Sequence, residues 1–202
     1  MQQKLFDDTQ QLTLPQELME YTPGFLSKTE GDELLQSLLE TAPWQQHTIM
    51  MYDKEVLQPL MSAWYGDRRI QDEGKREAHP WTPELLRLKE KIEAFTGIAF
   101  NGVLLNLYRN GKDSVAWHSD KDTLPGLKTE IASISIGQER DFDFRSKANY
   151  RLHYSIRLQH GSLLLMKGDL QRFWEHRIAK STAPIGPLIN LTFRKVLMPV
   201  YN

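Results

Sequence analysis

The sequence predicts an α+β protein that is mainly β, with helices first and an antiparallel sandwich or jelly roll after them. Two segments before residue 98 begin with helix start signals and continue with apolar residues at helical spacing. From residue 99 onward apolar residues tend to alternate with polar ones, which is the period of a β-strand. Several short strands without intervening helices favour antiparallel pairing over a parallel sheet.

Both helices are predicted from their first residues. Ser27 and Glu30 have the spacing of a capping box, in which each side chain accepts a hydrogen bond from the backbone N–H of the other residue. Thr82 and Pro83 form an N-cap followed by proline at the first helical position, and Gly97 marks the end of that helix. One-sided leucine stripes predict that both helices pack outside the sheets. The helices are expected near 29–40 and 82–95.

The second half of the chain supplies the strands, separated by turn residues such as Asn110-Gly111 and His160-Gly161. Strands are expected at Phe100–Arg109, Val115–His118, Ile131–Ile136, Asp141–Arg145, Leu152–Leu158, Ser162–Met166 and Ile189–Leu197. A length of 202 residues fits one domain. Its parts are an extended lead-in (1–25), a helical region that includes a substrate lid (26–98) and a jelly-roll core (99–197).

Composition describes an ordinary globular protein, because 40% of the residues are hydrophobic, 25% are charged and the net charge is −1. This balance argues against a disordered chain or a strongly basic nucleic-acid binder. A local basic patch could still bind nucleic acid, and an equally good interpretation of the same residues is a solvated strand face. The patch would comprise Arg140, Arg145, Lys147, Arg151 and Arg157.

The sequence contains no cysteine, which excludes a disulfide framework and a thiolate metal site. Any metal must therefore bind His, Asp or Glu. No apolar run approaches the ~20 residues of a membrane span, and the N-terminus lacks the apolar region of a signal peptide. We therefore expect a cytoplasmic protein that does not bind a membrane.

His118 and Asp120 are the first candidates for chemistry. Side chains at i and i+2 of a strand project to the same face, so an imidazole and a carboxylate lie side by side. Together they form two of the three ligands of a facial triad for non-haem Fe(II). The third ligand must be a later histidine, and the sequence offers His153, His160 and His176. His176 is modestly favoured because it comes shortly before the last strand.

A series of short segments, taken in order, resembles the AlkB family of Fe(II)/2-oxoglutarate-dependent dioxygenases, most closely its members that repair alkylated DNA and RNA. The similarity covers about residues 45–197. The matching segments are Asn106-Leu107-Tyr108, Trp117-His118-Ser119-Asp120, residues 131–137, residues 160–166, Gln171, Trp174, His176 and residues 190–194.

The resemblance implies a double-stranded β-helix with iron on His118, Asp120 and His176. It also implies that 2-oxoglutarate is converted to succinate and carbon dioxide while an N-methyl group on a damaged base is hydroxylated and lost as formaldehyde. The expected partner is alkylated DNA or RNA, and the protein is expected to be a monomer. The implied 2-oxoglutarate contacts are Asn106, Tyr108, Asn190 and Arg194. The implied substrate contacts are Trp64, Tyr65 and Asp122, although Asp122 fits a solvated loop carboxylate equally well. Arg140 is a further candidate substrate contact, taken from the basic patch and not from the resemblance.

Three departures from the family pattern affect the two pockets. Leu188 stands where the family has an arginine that pairs the far carboxylate of 2-oxoglutarate, a charge-assisted bond worth roughly 1.5–3 kcal/mol. Leu60 replaces a second arginine. Residues 70–74 replace an aromatic segment, and the loss of one base-stacking ring costs ~1–3 kcal/mol.

These departures leave two alternatives to a repair dioxygenase. The first is a catalytically weak or inactive jelly-roll protein that binds metal or nucleic acid, which Leu188 favours. The second is an oxygenase with a different substrate, which the missing aromatic residues favour.

Overall fold

The computed structural model of the protein describes residues 17–51, 54–68, 70, 77–120 and 130–196. In chain order the elements are β1 (Met19–Thr22), α1 (Lys28–Thr41), β2 (Thr48–Met51), β3 (Lys54–Leu57), β4 (Met61–Gly66), α2 (Pro83–Thr96), β5 (Gly102–Tyr108), β6 (Val115–His118), β7 (Ile131–Gly137), β8 (Arg140–Ser146), β9 (His153–Leu158), β10 (Ser162–Met166), α3 (Gly168–Phe173), β11 (Trp174–Ile178) and β12 (Leu188–Arg194). None of the described helices is long and apolar enough to span a membrane.

Both predicted helices are confirmed, and each of their ends lies within one residue of the expected position. The capping box at Ser27 and Glu30 is formed in both directions at the start of α1. The Thr82 hydroxyl accepts a hydrogen bond from the backbone N–H of Leu85, and α2 ends at Gly97 in the left-handed conformation with φ 71°. Glycine adopts this conformation without the steric cost that a Cβ would add.

Two large antiparallel sheets form the jelly roll. The six-stranded sheet has the order β1-β10-β7-β12-β5-β4, and the four-stranded sheet has the order β6-β11-β8-β9. Strands β2 and β3 form a separate two-stranded sheet. The mainly-β jelly roll predicted from the strand pattern is therefore confirmed.

The six-stranded sheet is buried on both faces, and its side chains alternate between two apolar layers. In β12, Ile189, Leu191 and Phe193 pack with residues of α1 and α2, which cover the outer face. Leu188 belongs to the layer between the two sheets, together with residues of β8, β9 and β11. The side chains of β12 that alternate with the outer set, at positions 188, 190, 192 and 194, therefore face the four-stranded sheet.

The sequence missed several elements because their patterns are atypical. From Ser62 to Gly66, β4 is buried at every position, so no alternation of polar and apolar residues marks it. β11 does alternate in burial, but His176 occupies one of its interior positions and disguises the period. β1 lies inside the segment 1–25 that was expected to be an extended lead-in, and it pairs with β10 at the edge of the larger sheet.

Candidate metal centre and active site

Three potential metal ligands meet at one edge of the four-stranded sheet. His118 ends β6, Asp120 follows two residues later, and His176 lies in β11 directly opposite His118 in the antiparallel register. The two imidazole rings lie 4.3 Å apart between centroids. Asp120 Oδ1 lies 4.0 Å from His118 Nε2, and Asp120 Oδ2 lies 3.9 Å from His176 Nε2. The structure thus brings together the three ligands that the resemblance implied.

The other two candidate histidines lie elsewhere. His153 is exposed at the start of β9, and its Nδ1 is 3.0 Å from the carbonyl oxygen of Arg151. His160 accepts a hydrogen bond from the backbone N–H of Gly137 at 2.8 Å, at the opposite side of the sheet near α1. Among the described residues only His118, Asp120 and His176 group as metal ligands.

Both histidines are held in a form that can bind a metal. His118 Nδ1 lies 2.9 Å from the carbonyl oxygen of Ala116. Because a carbonyl only accepts, Nδ1 is the donor in this contact, and Nε2 is the ring nitrogen that faces Asp120 at the metal site. Burial lowers the pKa of His176 to about 4, with Asp120 opposing this shift, so His176 is neutral at physiological pH.

Asp120 is held in its ionised form. Burial alone would raise its pKa, but the Arg194 guanidinium and then the His176 and His118 rings outweigh burial and lower it. Arg194 Nη2 lies 3.6 Å from Asp120 Oδ1. The site therefore presents two imidazoles and one ionised carboxylate, the ligand set of non-haem Fe(II) oxygenases.

Two hydrogen bonds fix the segment that carries Asp120. Its backbone N–H donates to Gln171 Oε1 at 2.9 Å, and the Ser119 hydroxyl donates to the Trp174 carbonyl at 2.8 Å. Gln171 belongs to α3 and is buried. Its part in holding Asp120 was not deduced from the sequence, because no local pattern identifies a glutamine that binds a backbone 51 residues away.

The residues implied for 2-oxoglutarate lie on adjacent strands. Asn190 is opposite Asn106 and Leu188 is opposite Tyr108 in the β12–β5 register. With Arg194, these side chains occupy alternate positions that face the four-stranded sheet. The structure therefore places all the implied contact residues, Asn106, Tyr108, Asn190 and Arg194, on the side of the larger sheet that faces the metal ligands.

Arg194 and Asn190 differ in whether their hydrogen-bonding atoms already have partners in the protein. The Asn190 amide already donates to the Ser133 and Ser135 hydroxyls at 2.7 and 3.1 Å, and its oxygen accepts from the Thr192 hydroxyl at 3.0 Å. Arg194 Nε, by contrast, is buried without any hydrogen-bond partner. A buried unpaired donor costs about 1–3 kcal/mol, so a bound carboxylate at this point would relieve an existing defect. The chemistry of the site therefore fits an anionic cosubstrate beside the metal.

The implied substrate residues divide into two groups. The Trp64 side chain faces the same side of the sheet as Leu104 and is buried with Ile70 and Val196. Like Arg194 Nε, the Trp64 Nε1 is a buried donor without a hydrogen-bond partner. Asp122 lies outside the described residues. Tyr65 is corrected by the structure, because β4 turns its side chain to the helix-covered face, where its ring lies 5.7 Å from that of His79.

Arg140 requires a second correction. It was expected in an exposed basic patch, but it is only 4% exposed and points into the space between the sheets. Its neighbours in sequence are largely paired. Arg145 Nη2 lies 2.7 Å from Glu175 Oε2, and Arg157 Nη1 lies 3.1 Å from Asp141 Oδ1. This part of the patch is better described as an ion-paired strand face.

The departures from the family pattern are also neighbours in space. Leu60 and Leu188 belong to the same buried cluster as Tyr108. Ile70 is fully buried against Trp64. Residues 71–74 lie outside the described residues.

Comparison with known proteins identifies the family. Residues 18–194 match the model of the 2OG-Fe(II) oxygenase superfamily. Alpha-ketoglutarate-dependent dioxygenase alkB homolog 3 of Bos taurus is 42% identical over 188 residues, covering 86% of this chain and 64% of the relative. DNA oxidative demethylase ALKBH2 of Bos taurus is 34% identical over 191 residues, covering 88% of this chain and 68% of the relative. This chain belongs to the AlkB family.

A structural comparison agrees at the level of the fold. The solved structure of OsALKBH1 superposes with a TM-score of 0.63 at 17% sequence identity, covering 88% of this chain and 97% of that one. The chain spans about two thirds of the length of the curated relatives it matches, 64% for alkB homolog 3 of both Bos taurus and Homo sapiens.

Membership assigns Fe(II) and 2-oxoglutarate as the cofactors. When bound together with O₂, they would supply an oxidant able to attack a C–H bond, and the chain would bind and orient them. His118, Asp120 and His176 would hold the iron and leave the remaining coordination positions open. Arg194 keeps Asp120 ionised and offers its unpaired Nε to an anion.

Proposed function

We propose that this AlkB-family protein is an Fe(II)/2-oxoglutarate-dependent dioxygenase that demethylates N-alkylated bases in DNA, with RNA as a second candidate substrate. The reaction would consume O₂ and 2-oxoglutarate and release succinate and carbon dioxide. The hydroxylated methyl group would leave as formaldehyde. The observation that carries the proposal is the triad of His118, Asp120 and His176 beside a buried, unpaired Arg194 Nε in a chain with DNA demethylase relatives.

The surroundings of Trp64 support a pocket for a flipped base. The target base must leave its stack to reach a metal at the mouth of a jelly roll. The Trp64 ring packs against Gly102, where an added Cβ would lie 2.4 Å from the tip of the indole. Gly102 pairs with Arg194 across the β5–β12 register, which connects Trp64 to the metal site. Trp64 would then form a wall of this pocket.

One observation favours the weaker, binding-only alternative. Leu60 and Leu188 make the surroundings of Tyr108 apolar where the family has arginines. If no other cation met the far carboxylate of 2-oxoglutarate, turnover would be slow.

Succinate formation tests these alternatives together. The purified chain is supplied with Fe(II), 2-oxoglutarate and O₂, with or without an oligonucleotide carrying N-methylated bases, and a His176→Ala variant serves as control. The proposal expects succinate and formaldehyde in equal amounts only with methylated oligonucleotide and only from the unaltered chain. Succinate without formaldehyde would indicate an oxygenase with another substrate, and no succinate in any condition would indicate a binding protein.

A further inference from the structure

Arg140 is a buried cation at the end of the space between the sheets. It begins β8, and it alternates with Phe142 and Phe144 along the buried face of that strand. The rings of these two phenylalanines lie 5.0 and 6.2 Å from that of His176. Arg140 therefore lies on the side of β8 that borders the metal centre.

The charge of Arg140 is not neutralised by a direct contact. Its guanidinium donates to the backbone carbonyls of Asn110, Asp113 and Ala179, all of which are neutral acceptors. The carboxylate of Asp113 is instead engaged by Arg109, at 2.7 Å to Nε and 3.0 Å to Nη2. Within the described ranges, no carboxylate forms an ion pair with Arg140. The Asp113 and Asp141 carboxylates act on Arg140 only at longer range, and a buried charge without a direct ion pair is costly, so this position favours an anion.

Arg140 faces the cluster in which the family arginines are missing. Its guanidinium carbon lies 6.0 Å from the centre of the Tyr108 ring. Tyr108 is paired with Leu188 in the β5–β12 register, and Leu60 packs in the same cluster. The six-stranded sheet thus has leucine at position 188 where the family has a cation, while the opposite sheet supplies a cation beside Tyr108, the residue paired with Leu188.

We propose that Arg140 binds the carboxylate of 2-oxoglutarate that lies away from the metal, in place of the arginine that the family has at the position of Leu188. The inference deepens the proposed function but requires only the cosubstrate, not the nucleic acid. A guanidinium approaching from β8 would meet the same end of the molecule that an arginine on β12 would meet. The Tyr108 ring lies beside this carboxylate site, 6.0 Å from the Arg140 guanidinium carbon.

The electrostatics of Tyr108 support this arrangement. Burial raises the pKa of its hydroxyl well above the usual range, while Arg140 opposes the shift and Asp120 adds to it. The Tyr108 hydroxyl is therefore within electrostatic reach of both the metal carboxylate and Arg140, and it can donate a hydrogen bond but not ionise. A dicarboxylate spanning from the metal to Arg140 would pass this hydroxyl.

Binding of two matched acids tests the proposal without turnover. The chain is loaded with Mn(II), and 2-oxoglutarate or 2-oxopentanoate is titrated by calorimetry. The second acid has the same metal-binding end but a methyl group in place of the far carboxylate. We expect the unaltered chain to bind 2-oxoglutarate at least about 10-fold more tightly, the effect of one charge-assisted hydrogen bond. Equal affinities would overturn the proposal.

Variants then assign the effect to Arg140. Arg140→Met should weaken 2-oxoglutarate binding by about 10- to 100-fold and leave 2-oxopentanoate and Mn(II) binding unchanged. Adding Leu188→Arg to this variant should restore affinity for 2-oxoglutarate alone, because the cation returns on the facing strand. Unchanged 2-oxoglutarate affinity in Arg140→Met, or an equal loss for both acids, would contradict the proposal.

A gentler substitution covers the case in which Arg140→Met does not fold. Arg140→Lys keeps the charge but loses the forked geometry that matches a carboxylate. It should lower the preference for 2-oxoglutarate over 2-oxopentanoate by at least about threefold, roughly half the effect of one hydrogen bond to a charged group. An unaltered preference would overturn the proposal. No nucleic acid enters these titrations, so failure of the demethylase assay and failure of this inference are distinguishable.

Discussion

Replacing Arg194 with methionine tests how the site holds its cosubstrate. Arg194 Nε is buried without a partner, and Arg194 Nη2 lies 3.6 Å from Asp120 Oδ1. Methionine has a similar length and fills the same space but donates no hydrogen bond. The substitution therefore removes one charge-assisted contact to a carboxylate while keeping most of the packing.

The size of the effect follows from the contact that is lost. A hydrogen bond between a guanidinium and a carboxylate contributes about 1.5–3 kcal/mol. Since each ~1.4 kcal/mol is tenfold in affinity, Arg194→Met should weaken 2-oxoglutarate binding by about 10- to 100-fold. Binding of Mn(II) at neutral pH should change much less, because the metal cation itself favours the ionised form of the Asp120 carboxyl.

Calorimetric titration of 2-oxoglutarate into the Mn(II)-loaded chain measures this loss. Arg151→Met is the matched control, because it makes the same substitution at an exposed arginine in the turn before β9. It should bind 2-oxoglutarate like the unaltered chain. An Arg194→Met protein with unchanged affinity would refute the role assigned to the unpaired Nε.

Further predictions concern the support of the metal ligands and of the fold. Gln171→Leu should weaken Mn(II) binding by about 10- to 100-fold, the usual cost of losing a residue that holds a metal ligand in place. Gln36→Leu, at an exposed glutamine of α1, is the control and should leave Mn(II) binding unchanged. Equal Mn(II) affinities of the two variants would contradict this role of Gln171. Ser27→Ala should lower the free energy of unfolding in a denaturant titration by about 1 kcal/mol, because it removes the N-cap of α1. Ser181 caps no helix, so Ser181→Ala should lower the free energy of unfolding by less. The pKa of His176 is lowered from 6.5 to about 4, so the unfolded metal-free chain takes up a proton that the folded chain excludes. The free energy of unfolding should fall by roughly 3 kcal/mol at most as the pH drops from 6.5 to about 4. His176→Gln should flatten the dependence of stability on pH in this range. Parallel profiles would show that His176 does not titrate in this way.

The elements that sequence predicts well are those whose signals are local. Both helices are marked by local signals: the N-caps Ser27 and Thr82, and Gly97 at the end of α2. Each signal depends only on the residue itself and on neighbours within one helical turn. Strands β6 and β10 were predicted at their observed ends. These elements need no information about distant parts of the chain.

The errors arise where a distant contact decides the outcome. Tyr65 was grouped with Trp64, but neighbouring residues of a strand face opposite sides, and only the packing of α1 and α2 shows which side is outside. Arg140 looked like part of a surface patch because the charges beside it are exposed. Its carbonyl partners come from two loops 27–39 residues away, which no local pattern reveals.

The metal ligands lie between these cases. Spacing predicted that His118 and Asp120 share a face. The structure shows both side chains beside His176. Spacing alone left three histidines as the third ligand. The resemblance selected His176, and the β11–β6 register shows why it can serve, since it lies directly opposite His118 across two strands far apart in sequence.

Metal binding by His176 is the most direct test of the site. Mn(II) is titrated by calorimetry into the unaltered chain, into His176→Ala and into His153→Ala, which removes a histidine that the sequence alone could not exclude. We expect the unaltered chain and His153→Ala to bind one Mn(II) with equal affinity and His176→Ala to lose this binding. Retention of stoichiometric binding by His176→Ala, or its loss in His153→Ala, would contradict the metal centre of His118, Asp120 and His176.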